Sequence, residues 1–307
     1  MVQVDVLQLL LNSAFTASIY ILSTTGFSLV YSLERFPNIA HVQFFTLGAY
    51  AGLLSVNVLK WGFISGLLLS FVLCGAIALL SYYVIFRSLK AREAGLVHLI
   101  VASVGYGTVL MYLMQQIFGR DIHIIQYPFY PIEVGSVRFT WLWIYTILFA
   151  ALTSIALHLV FTKTKIGRAI RALSNNPPLA MASGINADKI SGIVWFIGGA
   201  LAGIGGVLQG ANIRVVPTLG FELLVPTIAV AVLGGLGSFY GVLAAALVLG
   251  LAENFSVPLL LYLTLPTDLR FVIGYIVVVA VLVRATTSKQ LRIRIFTSLK
   301  RRILWLT

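Results

Sequence analysis

Charged residues are absent from long stretches of this chain, and no other feature constrains its fold as strongly. No Asp, Glu, Lys or Arg lies between Asp5 and Glu34, Arg35 and Lys60, Lys60 and Arg87, Glu93 and Arg120, Arg138 and Lys163, Lys189 and Arg214, or Glu222 and Glu253. An α-helix needs about 20 apolar residues to cross the roughly 30 Å hydrocarbon core of a bilayer. Because every stretch is at least that long, the sequence predicts an all-α, polytopic membrane helical bundle.

Composition excludes several other classes of protein. Hydrophobic residues make up 60% of the chain and charged residues 10%, whereas about a quarter of the residues in a soluble domain are charged. A transmembrane β-barrel would show short alternating segments instead of continuous apolar runs. The net charge of +12 does not indicate nucleic-acid binding, because the basic residues border apolar runs. Cys74 is the single cysteine, so neither a disulfide framework nor a cysteine-based metal site is expected.

The basic residues predict how the chain is oriented in the membrane. Fifteen of the 21 Lys and Arg residues lie in segments 87–95 and 162–190 and in a tail at 284–307, which we assign to the cytoplasm. Alternation then puts the N-terminus outside and gives about nine crossings, within a range of roughly eight to ten. The predicted runs are 6–31, 40–59, 62–86, 96–118, 140–161, 190–211, 223–238, 240–262 and 269–285. The sequence thus predicts a single transmembrane domain, 1–307, in the cell membrane.

Two of the runs are irregular in the same way. Each has an early proline followed by two glycines four residues apart, namely Pro37, Gly48 and Gly52 in residues 36–59, and Pro226, Gly237 and Gly241 in residues 221–241. The first run is predicted to go outward and the second inward. Broken helices at matching positions of opposite direction indicate an inverted repeat around a substrate path. The alternative is a pair of kinked, tightly packed helices without a transport role. In either case Gly48, Gly52, Gly237 and Gly241 are assigned to helix packing.

Run 190–211 is rich in small residues, and Gly199 with Gly203 has the GxxxG spacing that lets helices approach closely in a membrane. We favour packing within the chain over a subunit contact.

The motifs of several enzyme classes are missing. The chain has no GxxxxGK[ST] phosphate loop and no GxSxG nucleophile motif. Its four histidines are scattered, so no metal site is expected. No catalytic residue and no bound cofactor are predicted, and these absences favour a conduit over an enzyme.

The sequence predicts a short helix within the loop 162–190. Pro177 and Pro178 suit the start of a short helix with its body at Leu179 to Ser183, and Gly184 is placed to end it. Such a helix could dock into a groove of a soluble partner, or the segment is an ordinary connection.

The chain resembles the permease subunits of ABC importers of the branched-chain amino acid type. The resemblance rests on Pro37–His41 with Leu47–Tyr50, Gly167–Ala172 with Ala180–Asn186, Gly198–Gly210, and Val232–Gly241 followed by Gly250–Glu253. It implies a second homologous permease, cytoplasmic ATPase subunits that use the ATP, and an extracytoplasmic substrate-binding protein. It also implies that the loop couples to the ATPase through Gly167, Arg168, Arg171, Ala180 and Gly184.

The chain departs from the family pattern at two places. Family members often carry Gly and Glu where Val42 and Gln43 stand, and many carry a Glu where Leu179 stands. Related permeases carry urea, short amides, sugars or nucleosides, so the substrate does not follow from the resemblance.

Four polar residues are candidates for the substrate path. Asn38, His41 and Gln43 cluster at the first broken run, either lining a cavity or hydrogen-bonded in the core. Glu253 either lies deep, where it could meet the ammonium group of an amino acid, or is a charge at the end of a helix, which we favour. Asn12, Ser13 and Ser18 are assigned to helix packing.

The predicted function is ATP-driven alternating access for branched-chain amino acids or a similar small polar solute. The alternative is a self-sufficient channel or secondary transporter for a small solute such as urea or an amide. A membrane-bound enzyme is the third hypothesis, for which no paired acids, nucleophile or metal cluster is present.

Overall fold

The structure is a computed structural model that describes residues 5–284, and this part of the chain is mostly helical. The helices are α1 (Val6–Glu34), α2 (His41–Leu53), α3 (Phe63–Ser81), α4 (Arg87–Ala91), α5 (Leu96–Phe118), α6 (Trp141–Lys163), α7 (Lys165–Asn175), α8 (Pro177–Ala182), α9 (Ala187–Asn212), α10 (Leu219–Glu222), α11 (Leu224–Gly234), α12 (Phe239–Tyr262) and α13 (270–284). π-helical turns extend α2 over Leu54–Val58 and join α3 to α4 over Tyr82–Phe86, and a 3₁₀ turn at Thr267–Leu269 precedes α13. The predicted tail from residue 285 lies outside the described residues.

Within residues 5–284, six helices are long and apolar enough to cross a membrane, which confirms the polytopic helical bundle. They are α1, α3 continued through α4, α5, α6, α9 and α12. The other three predicted crossings correspond to the shorter helices α2, α11 and α13. Helices α2 and α9 form the centre: every residue of α2 is buried, whereas α5 and α6 bury few residues and lie at the periphery.

A β-hairpin that the sequence analysis did not predict stands between α5 and α6. Strand β1 (Pro131–Val134) pairs antiparallel with β2 (Val137–Thr140), with Val134 opposite Val137. Gly135 occupies the turn at φ +64°, a conformation that glycine adopts without steric cost. The alternating topology predicts only that this region lies outside, and strands of four residues leave little periodic signal in a sequence.

The two ends of the bundle differ in chemistry. At one end, which we call the basic end, Lys90 pairs with the buried Glu34, and Arg87 pairs with Asp188 at an N···O distance of 2.8 Å. At the other, the hairpin end, Gln8 hydrogen-bonds to Arg138 of the hairpin. Segments 87–95 and 162–190 therefore lie at one end, as the sequence predicts, and the helices run in the predicted alternating directions.

The two broken helices each traverse only part of the bundle. Residues 35–40 leave α1 at the basic end in a non-helical conformation, and α2 then begins beside Phe27, whose ring centroid is 6.0 Å from that of His41. Residues 213–218 leave α9 at the hairpin end, and α10 and α11 continue toward the basic end. Helix α10 contacts the middle of α2, where the Gly220 N–H donates to the Thr46 hydroxyl at 2.8 Å.

The first half of the bundle (α1, α2 and α3) and the second half (α9, α11 and α12) make corresponding helix contacts, as an inverted repeat requires. Helix α1 packs against α12, and its counterpart α9 packs against α3. Helix α2 contacts α3 and α9, and α11 contacts α12 and α1. By these contacts α1, α2 and α3 correspond to α9, α11 and α12, which run in the opposite directions, as expected for an inverted repeat.

The glycines of α9 allow close helix approach inside the chain. Gly198 lies against Gly26 of α1, Gly199 against Cys74 of α3, and Gly203 against Gly48 of α2. Lipid tails are as apolar as the side chains of these helices, so dispersion between closely spaced backbones holds them together.

The other glycines assigned to packing also have contacts within the chain. Gly52 lies against Val207 of α9, and Gly241 lies against the carbonyl of Gly234. Gly237 has φ +86°, and its N–H donates to the Ser28 hydroxyl at 3.0 Å. A side chain at Gly237 would be strained by the backbone conformation.

Candidate functional site

A cavity of about 280 Å³ lies between α1, α9, α11, α12 and α13. We call it the Glu253 cavity. It is lined by Asn12, Phe15, Thr16, Ile19, Tyr20, Trp143, Gln209, Asn212, Ile213, Glu222, Leu223, Pro226, Glu253, Asn254, Arg270 and Phe271. These residues include the hairpin-end termini of α9 and α6, so the cavity occupies the hairpin-end half of the bundle.

Glu253 lies deep in the bundle, which corrects the helix-end position that we favoured from sequence. Its side chain is almost fully buried, and its Oε2 accepts a hydrogen bond of 2.7 Å from the hydroxyl of Tyr20. Tyr20 is the middle residue of the 29-residue helix α1. A carboxyl group at that depth is costly in a membrane and is usually directed to a cavity or a partner.

One oxygen of Glu253 remains available for a ligand. Oε1 is buried and has no hydrogen-bond partner among residues 5–284, and the same holds for Oε1 of Gln209 on the cavity wall. A buried acceptor without a partner carries a desolvation penalty of about 1–3 kcal/mol, more if it is charged. The cavity therefore presents two acceptors that a donor-bearing solute would satisfy.

The remaining walls of the Glu253 cavity combine charge, amide and apolar groups. Arg270 is half-buried and brings a guanidinium to the same cavity, while Asn254 donates to Thr16 at 3.1 Å. Phe15 stacks on Trp143 with ring centroids 5.1 Å apart and forms part of the apolar wall. Such an arrangement can hold a small solute with a cationic group, an anionic group and a hydrocarbon portion.

The other three predicted pathway residues lie elsewhere. Asn38, His41 and Gln43, which we call the Asn38 cluster, are each about 1% exposed and do not line the Glu253 cavity. The side-chain nitrogen and oxygen atoms of Asn38 and Gln43 have no hydrogen-bond partner among the described residues. The cluster occupies the start of α2, on the basic-end side of the contact between α2 and α10. The structure thus does not bring the four predicted residues into one site.

The loop between α6 and α9 is built from two short helices. Helix α7 begins where the Thr164 hydroxyl accepts from the Gly167 N–H at 3.1 Å, and Gly167 lies so close to α6 that a side chain would clash with the Val160 carbonyl. Arg168 is exposed, and Arg171 donates back to the Phe161 carbonyl. These contacts fix α7 directly against the end of α6.

Helix α8 starts at Pro177, as the sequence indicated, and ends at Ala182, one residue before the predicted Ser183. Asn176 caps it by accepting from the Leu179 N–H at 3.1 Å, and Gly184 follows its end at φ +84°. Ala180 is buried against the bundle, whereas Leu179 and Met181 are 63% and 51% exposed. The loop therefore displays two apolar side chains at the basic end.

Sequence reasoning missed several walls of the Glu253 cavity. Asn12 lines the cavity and accepts from Gln8 at 2.7 Å, although we assigned it to helix packing. Ser13 and Ser18 do bond to carbonyls of their own helix. Gln209 and Arg270 were not singled out, because their relation to Glu253 appears only when α9, α12 and α13 come together. Each is a polar residue within an apolar run, and this was the signal in the sequence that could have identified it as a cavity residue.

The chain matches the family described as branched-chain amino acid transport system, permease component, over residues 9–282. The high-affinity branched-chain amino acid transport system permease protein LivH of Escherichia coli K12 is 28% identical over 301 residues, which cover 92% of this chain and 94% of that protein. A probable LivH of Methanocaldococcus jannaschii is 27% identical over 245 residues, covering 78% and 77%.

A more distant likeness covers a smaller part of the chain. The ribose import permease protein RbsC of Escherichia coli K12 is 36% identical over 119 residues, which are 36% of each chain. No solved structure matches the chain. Because the family match covers nearly all of residues 5–284, the chain belongs to the branched-chain amino acid transport system permease family and is a multi-pass membrane protein.

Proposed function

We propose that this chain is the membrane permease subunit of an ABC importer that carries branched-chain amino acids or a similar small polar solute into the cell. Its hairpin end faces outside and receives solute from a binding protein. Its basic end faces the cytoplasm, where ATPase subunits drive alternation between outward- and inward-open states. A second homologous permease completes the membrane part.

The Glu253 cavity is the observation that carries this proposal. The unpartnered Oε1 of Glu253 would accept from the ammonium group of an amino acid, and Arg270 would meet its carboxylate. Phe15, Ile19 and Leu223 would contact an aliphatic side chain. A neutral amide or urea would use neither charge, so the chemistry of the walls favours a zwitterion.

Helix α8 supplies the contact with the ATPase in this proposal. Leu179 and Met181 project from a loop at the basic end, and because each is already partly covered, burying the rest of each side chain stabilises an interface by less than the roughly 1.5–3 kcal/mol of full burial. Because Asn186 at the start of α9 follows α8 closely, and its side chain accepts from the Lys189 N–H at 2.9 Å, movement of α8 would reach the central helix α9.

Replacing Leu179 and Met181 together with aspartate is expected to weaken association with the ATPase subunits at least roughly tenfold, because charge would replace apolar contact area. The amount of chain in the membrane should not change, since both side chains are exposed. Co-purification measures the association. The matched control is Tyr130→Asp with Val134→Asp at the hairpin end, where the side chains are 73% and 63% exposed. Equal loss in both variants would contradict docking at α8.

Transport in proteoliposomes tests the function as a whole. The chain is co-purified with the permease and ATPase subunits that associate with it, and radiolabelled leucine uptake is measured with the binding protein outside and ATP inside. We expect uptake that requires ATP and every subunit. Uptake by the chain alone without ATP would instead support the channel or secondary transporter.

A further inference from the structure

A second cavity, of about 490 Å³, lies at the basic end between α1, α6, α7 and the start of α12. We call it the Arg171 cavity, and it shares no lining residue with the Glu253 cavity. Part of its wall is apolar and is formed by Leu29, Phe161, Ile170 and Phe239, while another part carries hydrogen-bonding groups and the charge of Arg171. A cavity with both kinds of wall fits an amphipathic ligand.

Two arginine side chains are held beside the Arg171 cavity. Arg171 lines the cavity and donates to the Phe161 carbonyl at the end of α6. Arg35 donates to the carbonyl of Ser174, a residue that also lines the cavity. Neither guanidinium forms an ion pair with an acidic side chain among residues 5–284. Because each guanidinium has five N–H donors, donors remain for an anionic ligand.

The charge of the surrounding segment favours an anion in this cavity. Residues 139–187 contain no Asp or Glu and four basic residues, namely Lys163, Lys165, Arg168 and Arg171. All four lie at the end of α6 or on α7, close to the cavity wall that α7 forms. A planar guanidinium pairs with a phosphate group through two parallel hydrogen bonds. A phosphate-bearing ligand therefore matches the polar part of the wall.

The Arg171 cavity lies at the level where the helices leave the membrane. The exposed ring of Tyr240 forms part of its wall, and the Tyr240 hydroxyl is 2.7 Å from Nδ1 of His158 on α6. His158 precedes Lys163, the last residue of α6, by a distance of about 7.5 Å along the helix axis. Amphipathic tyrosine rings are enriched at this headgroup level. Few residues of α6 are buried, so the surface beside the cavity is accessible to lipid.

We propose that the Arg171 cavity binds the headgroup of an anionic phospholipid of the cytoplasmic leaflet. The phosphate would meet Arg171 and Arg35, and the first carbons of the acyl chains would contact Phe161 and Phe239. Basic pockets between membrane helices on the cytoplasmic side bind anionic headgroups in this way. A free phosphate ion or an acidic protein surface would match the charge but not the apolar wall. The proposal needs the basic end to face the cytoplasm, as in the proposed function, but needs neither its solute nor its use of ATP.

Native mass spectrometry of the assembled transporter tests the lipid site. The complex is titrated with phosphatidylglycerol and with phosphatidylcholine of the same acyl chains, which carries the same phosphate but no net charge. We expect phosphatidylglycerol to bind at least roughly tenfold more tightly, and Arg35→Gln with Arg171→Gln to abolish this preference, because charge-assisted hydrogen bonds are lost. The matched control is Arg92→Gln with Lys165→Gln, which removes two exposed cations at the same end that do not line the cavity.

Photo-crosslinking in the unaltered transporter provides a second readout if the double variant fails to assemble. Phosphatidylglycerol with a diazirine near the glycerol end of one acyl chain is irradiated in nanodiscs that contain the transporter. We expect adducts on peptides that contain Phe161 or Phe239. Excess unlabelled phosphatidylglycerol should remove these adducts, whereas phosphatidylcholine and inorganic phosphate should not.

The other outcomes would overturn the lipid site. Equal affinity for the two lipids, or equal loss in both double variants, would mean that charge at the basic end acts without regard to the cavity. Adducts that inorganic phosphate removes as well as the lipid does would indicate a site for a free anion. Lipid that binds only after the ATPase subunits are stripped away would assign the cavity to a protein contact. None of these measurements uses leucine or ATP, so their failure would leave the proposed transport function intact, and absence of leucine uptake would leave the lipid site intact.

Discussion

Glu253→Gln is expected to lower ATP-driven leucine uptake roughly ten- to hundredfold, because a hydrogen bond to a charged group contributes about 1.5–3 kcal/mol. The amide keeps the size of the side chain and can still accept from Tyr20, so the helices should stay assembled. Its nitrogen, however, would present a donor to the ammonium group of the solute, and the negative charge would be lost. Initial uptake rates at several leucine concentrations measure the effect.

Glu222→Gln is the matched control for this change. Glu222 also lines the Glu253 cavity, but its carboxylate is about half exposed and pairs with Arg214 at 3.1 Å. Exposed ion pairs contribute roughly 0–1 kcal/mol, so uptake should change by less than about fivefold. If both substitutions reduced uptake equally, the depth of Glu253 would have no bearing on solute binding.

Gly206→Val is expected to destabilise the assembled bundle strongly. Gly206 lies on α9 so close to α2 that a Cβ atom would clash with the carbonyl oxygen of Phe45. Backbone atoms cannot rotate away, so the two central helices would have to separate. We expect a destabilisation of about 3 kcal/mol, at the upper end of the range for overpacked cores. Thermal unfolding of the purified protein in detergent measures it.

The control is Gly105→Val on α5. It introduces the same side chain into a helix, but a Cβ atom at Gly105 would have no neighbour within 4 Å. The unfolding temperature should stay the same or rise slightly, because valine restricts the unfolded chain more than glycine does. Comparable losses for both variants would mean that a valine side chain destabilises these helices wherever it is placed and that close packing of α9 is not the cause.

The architecture could be predicted from the sequence because lipid imposes strong constraints. Charge-free runs marked the apolar segments, and the paired positions of Pro37 and Pro226 marked the two breaks. At α8, Pro177 and Gly184 defined a start and an end that the structure reproduces within two residues. In each case the information is local, since proline removes a backbone donor and glycine permits positive φ.

The depth of Glu253 could not be predicted in the same way. The charge-free stretch 223–252 before it is long enough to allow a position at the end of a helix, although the predicted run 240–262 contains Glu253. In the structure, α11 is followed by a turn that contains Gly235 and Gly237, both at positive φ, and α12 then begins at Phe239. Glu253 therefore lies well inside α12, opposite the middle of α1. The partners Tyr20, Gln209 and Arg270 come from distant parts of the chain, and only the tertiary structure brings them together.

Photo-crosslinking of bound solute tests the Glu253 cavity most directly. The assembled transporter is loaded with a diazirine analogue of leucine, irradiated in the outward-open state without nucleotide, and digested for mass spectrometry. We predict adducts on peptides that contain the apolar walls Phe15, Ile19, Leu223 or Phe271, with competition by leucine. Leucine-competed adducts that map only to other parts of the chain, in a preparation that retains uptake, would contradict passage through this cavity.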